Sequence, residues 1–354
     1  MANEMAKVIV AENVNKVNLI VTHIRPHFDE VLAVHLLICY GNNIFPGVDE
    51  ADIETWTEGK MLKEYAGKTA AQLLAEQGIL CVGTCGGIFD EHGNGELTCA
   101  HLVAQYLGVA DMPELQKILK FCKRVDHDGK SMPFDLHTVM KEMYEDFGDD
   151  DEGMQIVFDW AMKAIESHIL GQKYFFNCAD EFAKTGEIIN GGPIKIATVI
   201  SNSSKMHKWI RSVHSADVII KKDKVGRMII LPTLKKTQGI IDMRDLARVI
   251  RMMEMRKRHV SSRNWKLLEV AGTIDECSCW YFYANGDQLL NGTPTCPDVE
   301  PTKLSLKDAT EAVAICCAAK FDPCKKERCE KTCNKYQFGL IACRQKRFSE
   351  IEKK

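Results

Sequence analysis

A chain of 354 residues is long enough for two domains with cores of their own. Its 45% apolar and 27% charged residues match a soluble globular protein, and no stretch is apolar for long enough to span a bilayer, which argues against a membrane protein. The net charge of −3 names no partner, while many cysteines and no apolar signal core over residues 1–16 point to reduced thiols in the cytoplasm rather than a disulfide framework.

Residues 8–22 read as one or two strands, closing on the β-branched and apolar run from Val17 to Val21. The run stops at His23, and Arg25-Pro26 forces a turn. From Asp29 the residues Val31, Leu32, Val34, Leu36 and Leu37 recur at helical spacing, which predicts a helix over 29–40. His23, His27, Asp29 and Glu30 therefore stand where a strand hands over to a helix. Open α/β sheets bind ligands at that junction. His-x-x-x-His-x-Asp offers two nitrogens and a carboxylate, a set suited to Mn, Zn or Fe(II). A plainer reading is that Asp29 and Glu30 only favour the helix N-terminus and that His23 is a hydrogen-bonded, half-buried histidine.

A helix is predicted over 60–77, then a short buried strand over 78–83. The strand runs into a glycine-flanked loop, Thr84 to Gly93, that holds Asp90 and His92. Helices follow over 97–107 and 113–124, the second ending in Val125-Asp126-His127-Asp128-Gly129. Residues 134–186 read as two or three helices broken by the acidic block 145–152. After Gly191-Gly192-Pro193 the pattern predicts a strand over 194–201, a helix over 205–214 and a hairpin of 218–221 with 228–231. A basic helix over 242–258, a strand over 279–283 and a helix over 306–318 complete it. The alternation argues for an α/β fold with a mostly parallel sheet in the first half. The basic clusters at 244–266 and 320–354, the latter with eleven Lys/Arg against five Asp/Glu, are solvated faces or phosphate-binding surfaces.

Three acidic-imidazole loops thus fall in the first 130 residues: His23/His27/Asp29, Asp90/His92 and Asp126/His127/Asp128. Aspartates at loop starts also cap helices and turns, which explains each loop singly but not a histidine in all three. Together they suit a carboxylate-and-histidine centre for one or two metal ions, and paired ions suit phosphodiester hydrolysis.

The order of these motifs resembles the MYG-type (melanocyte proliferating gene) metal-dependent hydrolases, relatives of the DHH phosphoesterases. The family opens with Thr-His…His-x-Asp-Glu-x-Leu-Ala, and this chain has Thr22-His23-Ile-Arg-Pro-His27-Phe-Asp29-Glu30-Val-Leu32-Ala33. The segment Gly86-Gly87-Ile-Phe89-Asp90-Glu91-His92 looks like a compressed Gly-Gly-x-Tyr/Phe-Asp segment joined to an Asp-His-His motif. Asp126-His127-Asp128-Gly129 is similar to the family's later Asp before Asp/Asn-Gly, and Tyr283-Ala284-Asn285-Gly286 to its late strand and turn. The chain departs from the pattern at Thr84, where the family has an aspartate, at Glu91, the central histidine of Asp-His-His, and at Tyr283, a histidine in the family. A carboxylate lost at Thr84 would weaken or remove one metal position, although Glu91 could replace it.

The resemblance implies a manganese- or magnesium-dependent 3′–5′ exonuclease on RNA or short oligonucleotides, or a related phosphoesterase. His23, His27, Asp29, Asp90 and Asp126 would hold one or two ions. His92, Arg25 and Asp128 would complete the catalytic set, with His92 as ligand or phosphate-positioning group. Arg25 would contact a phosphate, or form a surface salt bridge. The implied organisation is a DHH-like α/β metal-binding domain over 1–133, a helical connector over 134–190, a smaller α+β substrate-clamping domain over 191–319 and a basic Cys-rich tail over 320–354. The alternative is a catalytically degenerate protein of the same fold that binds nucleic acid or a partner.

In the tail, Cys324, Cys329, Cys333 and Cys343 could bind zinc or an iron–sulfur cluster, or remain free thiols. Basic residues interleaved there with Tyr336, Phe338 and Phe348 suit single-stranded nucleic acid.

Overall fold

Parallel strands are buried on both faces and read as continuous apolar runs, and Leu19–His23 is such a run at the centre of a three-stranded parallel sheet. The computed structural model describes residues 16–57, 65–92, 97–147, 150–190, 194–233, 240–261, 264, 266–293, 295–321, 333 and 337–340. The chain divides into two units, residues 1–173 and 174–354.

In the first unit, β1 (Leu19–His23) pairs in parallel with β2 (Asp52–Trp56) on one side and β3 (Ile79–Cys81) on the other. The pairing sets His23 beside Trp56 and Val21 beside Cys81, so the three strands end on one edge. Helix α1 (Phe28–Tyr40) is buried on every face from Phe28 to Leu37. It packs against α3 (Cys99–Tyr106) in a core that also takes in Phe45, Phe89, Ile118 and Val157. Beyond its acidic first turn the helix is apolar nearly all round, the expected form for that position.

The helix predicted over 60–77 is shorter among the described residues. Thr69 caps α2 (Ala70–Gln72), its Oγ1 accepting the Gln72 N–H at 3.3 Å. The chain continues as a π-helical turn, Leu73–Gln77, and stops at Gly78, whose φ of 67° is left-handed. Helices α4 (Gln116–Val125), α5 (Leu136–Phe147) and α6 (Asp151–Phe176) follow.

The second unit holds α7 (Cys178–Thr185), β4 (Glu187–Asn190), β5 (Lys195–Ile200), α8 (Met206–His214), β6 (Val218–Lys222) and β7 (Met228–Pro232). After α9 (Met243–Lys257) come β8 (Tyr281–Tyr283), β9 (Gln288–Leu290) and α10 (Leu306–Phe321). The sheet order is β4-β5-β6-β7-β9-β8, parallel only between β5 and β6. Alternate residues serve two cores. Ile196, Val218 and Ile220 face the core shared with α9 and α10, while Ala197, Val199 and Ile219 face the one shared with α7 and α8.

The basic residues of α9 divide: Arg244, Arg256 and Lys257 are exposed, as a solvated face requires, and two others are not. Arg248 and Arg251 are fully buried. Arg251 donates to the carbonyls of Leu268, Val270 and Trp280 at 3.0, 2.9 and 3.3 Å, and Arg248 is paired with Glu269. These guanidiniums tie α9 to the chain that follows it. No helix among the described residues is long and apolar enough to cross a membrane.

Candidate metal centre

Strand β1 delivers His23 to the sheet edge, and the turn that follows is tight. Arg25 takes a left-handed φ of 52°, and the Tyr144 hydroxyl of α5 donates to the Pro26 carbonyl at 2.9 Å. His27 is then the N-cap of α1, and its backbone N–H donates to Glu30 Oε2 at 2.7 Å. So Glu30 does cap the helix, as the plainer reading holds, but it also does more. Its other oxygen, Oε1, lies 3.3 Å from His23 Nε2. The His23 and His27 rings meet edge to face with centroids 5.0 Å apart. Gly83, with φ 63°, follows β3; a Cβ there would stand 2.5 Å from Glu30 Cγ, so only glycine leaves room for this carboxylate.

Asp29 is fully buried beneath this layer. Its Oδ2 accepts the backbone N–H of Cys99, at the start of α3, at 3.1 Å. Its Oδ1 is buried and accepts no hydrogen bond among the described residues, and neither does Glu91 Oε2. Asp126 follows the last turn of α4 as its C-cap.

Side-chain donors overlap in trios whose atoms lie within 4.8 Å of one another: His23/His27/Glu30, His27/Asp29/Asp126, Asp29/Glu91/Cys99 and Asp90/Glu91/His92. Successive trios share His27, Asp29 and Glu91. A cavity of about 1240 Å³ opens above them, lined by His23, Arg25, His27, Glu30, Trp56, Thr84, Cys85, Asp90, Glu91, His92 and Asp126 among others.

The electrostatics are those of an acidic pocket. Burial first, then the carboxylates of Glu30, Asp126 and Glu91, push Asp29 well above the usual carboxylate range. Burial, then Glu30, also raises Glu91 and Asp126. Burial would raise Glu30 as well, but the hydrogen bond and charge of His23, with His27, hold it below its ordinary value. The same hydrogen bond brings His23 up to about 9. Carboxylates crowded this way, with an orphaned oxygen among them and imidazoles at the rim, fit a divalent cation by charge and by ligand type.

Of the residues expected from the sequence, His23, His27, Asp29 and Asp126 are brought together. Asp90 shares the cavity but chiefly organises its own loop, where Oδ2 accepts the Gly86 N–H at 2.8 Å and Oδ1 the His92 N–H at 3.0 Å. His92 is mostly exposed and sits 2.8 Å from Asp90 Oδ1. Arg25 is on the cavity wall. Asp128 is not. It is exposed, pairs with His127 at 3.1 Å and Lys130 at 3.8 Å, and belongs to no donor trio. Glu30, read as a capping residue, and Cys99, not singled out at all, are the additions. Of the four tail cysteines only Cys333 is described; Cys324, Cys329 and Cys343 lie outside the described residues.

The second unit has a cavity of about 580 Å³ with His207, Arg211, Lys221 and Arg227 on its wall. Burial and then the Arg211 and Lys221 charges lower His207 to about 4, and burial lowers Lys221. Asp223 is the carboxylate on that wall, and it binds Arg227 Nε at 2.8 Å.

No family model and no curated protein matches the chain. Among solved structures it is similar to an uncharacterized protein from Helicobacter pylori G27, at 9% identity over 85% of this chain and 98% of that chain, with a TM-score of 0.20.

Proposed function

We propose that the chain is a metal-dependent phosphoesterase with a DHH-phosphoesterase-like first domain, acting as a 3′–5′ exonuclease on RNA or short oligonucleotides in the cytoplasm. The observation that carries this reading is the buried Asp29, whose Oδ1 is left without a donor among crowded carboxylates at the end of a parallel sheet. A fold that leaves a carboxylate so placed incurs a cost that a bound cation removes. His23, His27, Glu30, Asp29 and Asp126 would hold one or two manganese or magnesium ions. Bound there, such ions supply positive charge to the phosphoryl oxygens and acidify water. Arg25, on the wall, reaches a phosphate as a two-pronged donor. His92, exposed at the rim and held by Asp90, offers a proton to the leaving oxygen. In the second unit, considered by itself, Arg211 and Lys221 line a cavity whose charge suits a phosphate.

One observation favours the degenerate, binding-only reading: Thr84 lines the cavity where the resembled family has a carboxylate. Release of mononucleotides from short single-stranded RNA, with manganese or magnesium and a chelator control, decides between them. Cleavage abolished by chelator and reduced at least about a hundredfold by Asp29→Asn supports the enzyme. Salt-sensitive RNA binding without cleavage under any divalent ion supports the binder. Cleavage that Asp29→Asn leaves intact removes this site from consideration.

A further inference from the structure

The inner part of the acidic cluster contains a donor that hard cations do not require. Cys99 opens α3 and is fully buried. Its sulfur, an oxygen of Asp29 and an oxygen of Glu91 lie within 4.8 Å of one another. The Cys99 backbone N–H holds Asp29 Oδ2 at 3.1 Å, so the residue that brings the sulfur also fixes the carboxylate. Asp29 Oδ1 and Glu91 Oε2 are buried carboxylate oxygens left without a hydrogen bond among the described residues, and both residues belong to this trio. Cys99 belongs to the apolar core of the first unit, but packing alone does not account for its polar neighbours. Here it stands against two under-satisfied carboxylates, which a weak S–H donor does little to satisfy.

We propose that Asp29, Glu91 and Cys99 form an inner cation position, distinct from the His23/His27/Glu30 position, that takes a thiophilic divalent ion such as Zn, Fe(II) or Co(II). The inference rests on the metal-centre reading and sharpens it. Thiolate favours softer ions, whereas magnesium and manganese keep to oxygen and nitrogen donors. On binding, the Cys99 S–H bond breaks, its electron pair stays on sulfur to bond the ion, and the proton leaves to solvent. The two positions would then prefer different ions, the outer one accepting manganese or magnesium.

Cobalt(II) tests this in the full chain, freed of metal and kept reduced and anaerobic. The tail cysteines 324, 329, 333 and 343 are replaced by serine so that they contribute no signal. The expected result is a near-ultraviolet thiolate-to-cobalt charge-transfer band alongside visible ligand-field bands. Cys99→Ser should abolish the first and keep the second. Because Cys99→Ser removes a core side chain, zinc-edge X-ray absorption on the parent protein gives an independent reading, with a sulfur scatterer at about 2.3 Å expected. Bound cobalt without the charge-transfer band, a band that survives Cys99→Ser, or a zinc shell of nitrogen and oxygen only would overturn the inner position and leave the metal centre standing. No cobalt binding at all would overturn both.

Discussion

Asp29 shows what one buried side chain can encode. A helix-capping aspartate would face solvent or the N–H groups of its own helix, but this one is sealed under the first turn of α1 and reaches across to α3. Its carboxyl is pushed above the ordinary 3.8 by burial and by three neighbouring acids. In the metal-free protein the folded form therefore keeps a proton that the unfolded chain has released, and stability falls as pH rises above that value. Asp29→Asn keeps an oxygen for the Cys99 N–H and turns an NH₂ toward the place of the orphaned Oδ1. Metal-free Asp29→Asn should match or exceed wild type in thermal stability at neutral pH, by up to about 1 kcal/mol. The rise in melting temperature that metal gives wild type should be largely lost. A metal-induced shift equal to wild type would reduce Asp29 to a structural residue. Tyr144 works at one remove. Its buried hydroxyl pins Pro26, between the two histidines. Tyr144→Phe should cost about 1 kcal/mol of stability and weaken metal binding several-fold by loosening the His23–His27 turn, as isothermal titration would show. Unchanged affinity would mean that the turn holds its shape without this bond.

At the scale of elements, β1 and α1 were legible because their burial leaves plain periodic signals. Strand β2 was not. Asp52-Ile-Glu-Thr-Trp56 alternates as an edge strand should, but it is short, half polar and unsupported by a neighbouring apolar run. The histidines and aspartates of the centre could be read from their loops. Cys99 could not, because its place beside Asp29 arises from the packing of α1 on α3 and leaves no mark in local sequence. Helix α9 was legible only in part. Its arginines suggested a surface, which Arg244 and Arg256 do occupy, but Arg251 is buried and its partners are carbonyls well along the chain, out of reach of any local pattern. On the same helix Glu254 is fully buried and accepts from Trp280 Nε1 at 3.1 Å, Lys303 N at 2.9 Å and Arg258 Nε at 2.6 Å, and from the Thr302 hydroxyl. Burial raises its pKa, but these donors outweigh burial and hold it below 4.5. A depressed carboxylate contributes stability above its unfolded pKa and loses it as pH falls through the folded one. Glu254→Gln should destabilise the second unit by about 2–3 kcal/mol near neutrality. The gap to wild type should narrow in acid, as denaturant titration at both pH values would measure. A gap independent of pH would mean that shape, not charge, is what Glu254 supplies.

For the whole molecule, the candidate centre lies within the first unit. Among the described residues every donor trio lies between residues 23 and 126, while the second unit has its own sheet and its own two cores. Binding to a folded unit stabilises it against unfolding by an amount set by concentration over Kd, about 2.7 kcal/mol at a hundredfold excess. Core amides that exchange only when their unit unfolds should slow by the same factor, about a hundredfold. Manganese is the suitable ion, since tail thiols compete poorly for it. With manganese at that excess, hydrogen exchange should slow by about a hundredfold in β1 and α1. The amides of β5, β6 and β7 should be unaffected if the two units open separately. Equal slowing in both units would show that the chain unfolds as one cooperative body, with the centre bracing all of it. Slowing confined to the second unit would place the manganese outside the His23–Asp126 cluster and remove the basis for the site proposed here.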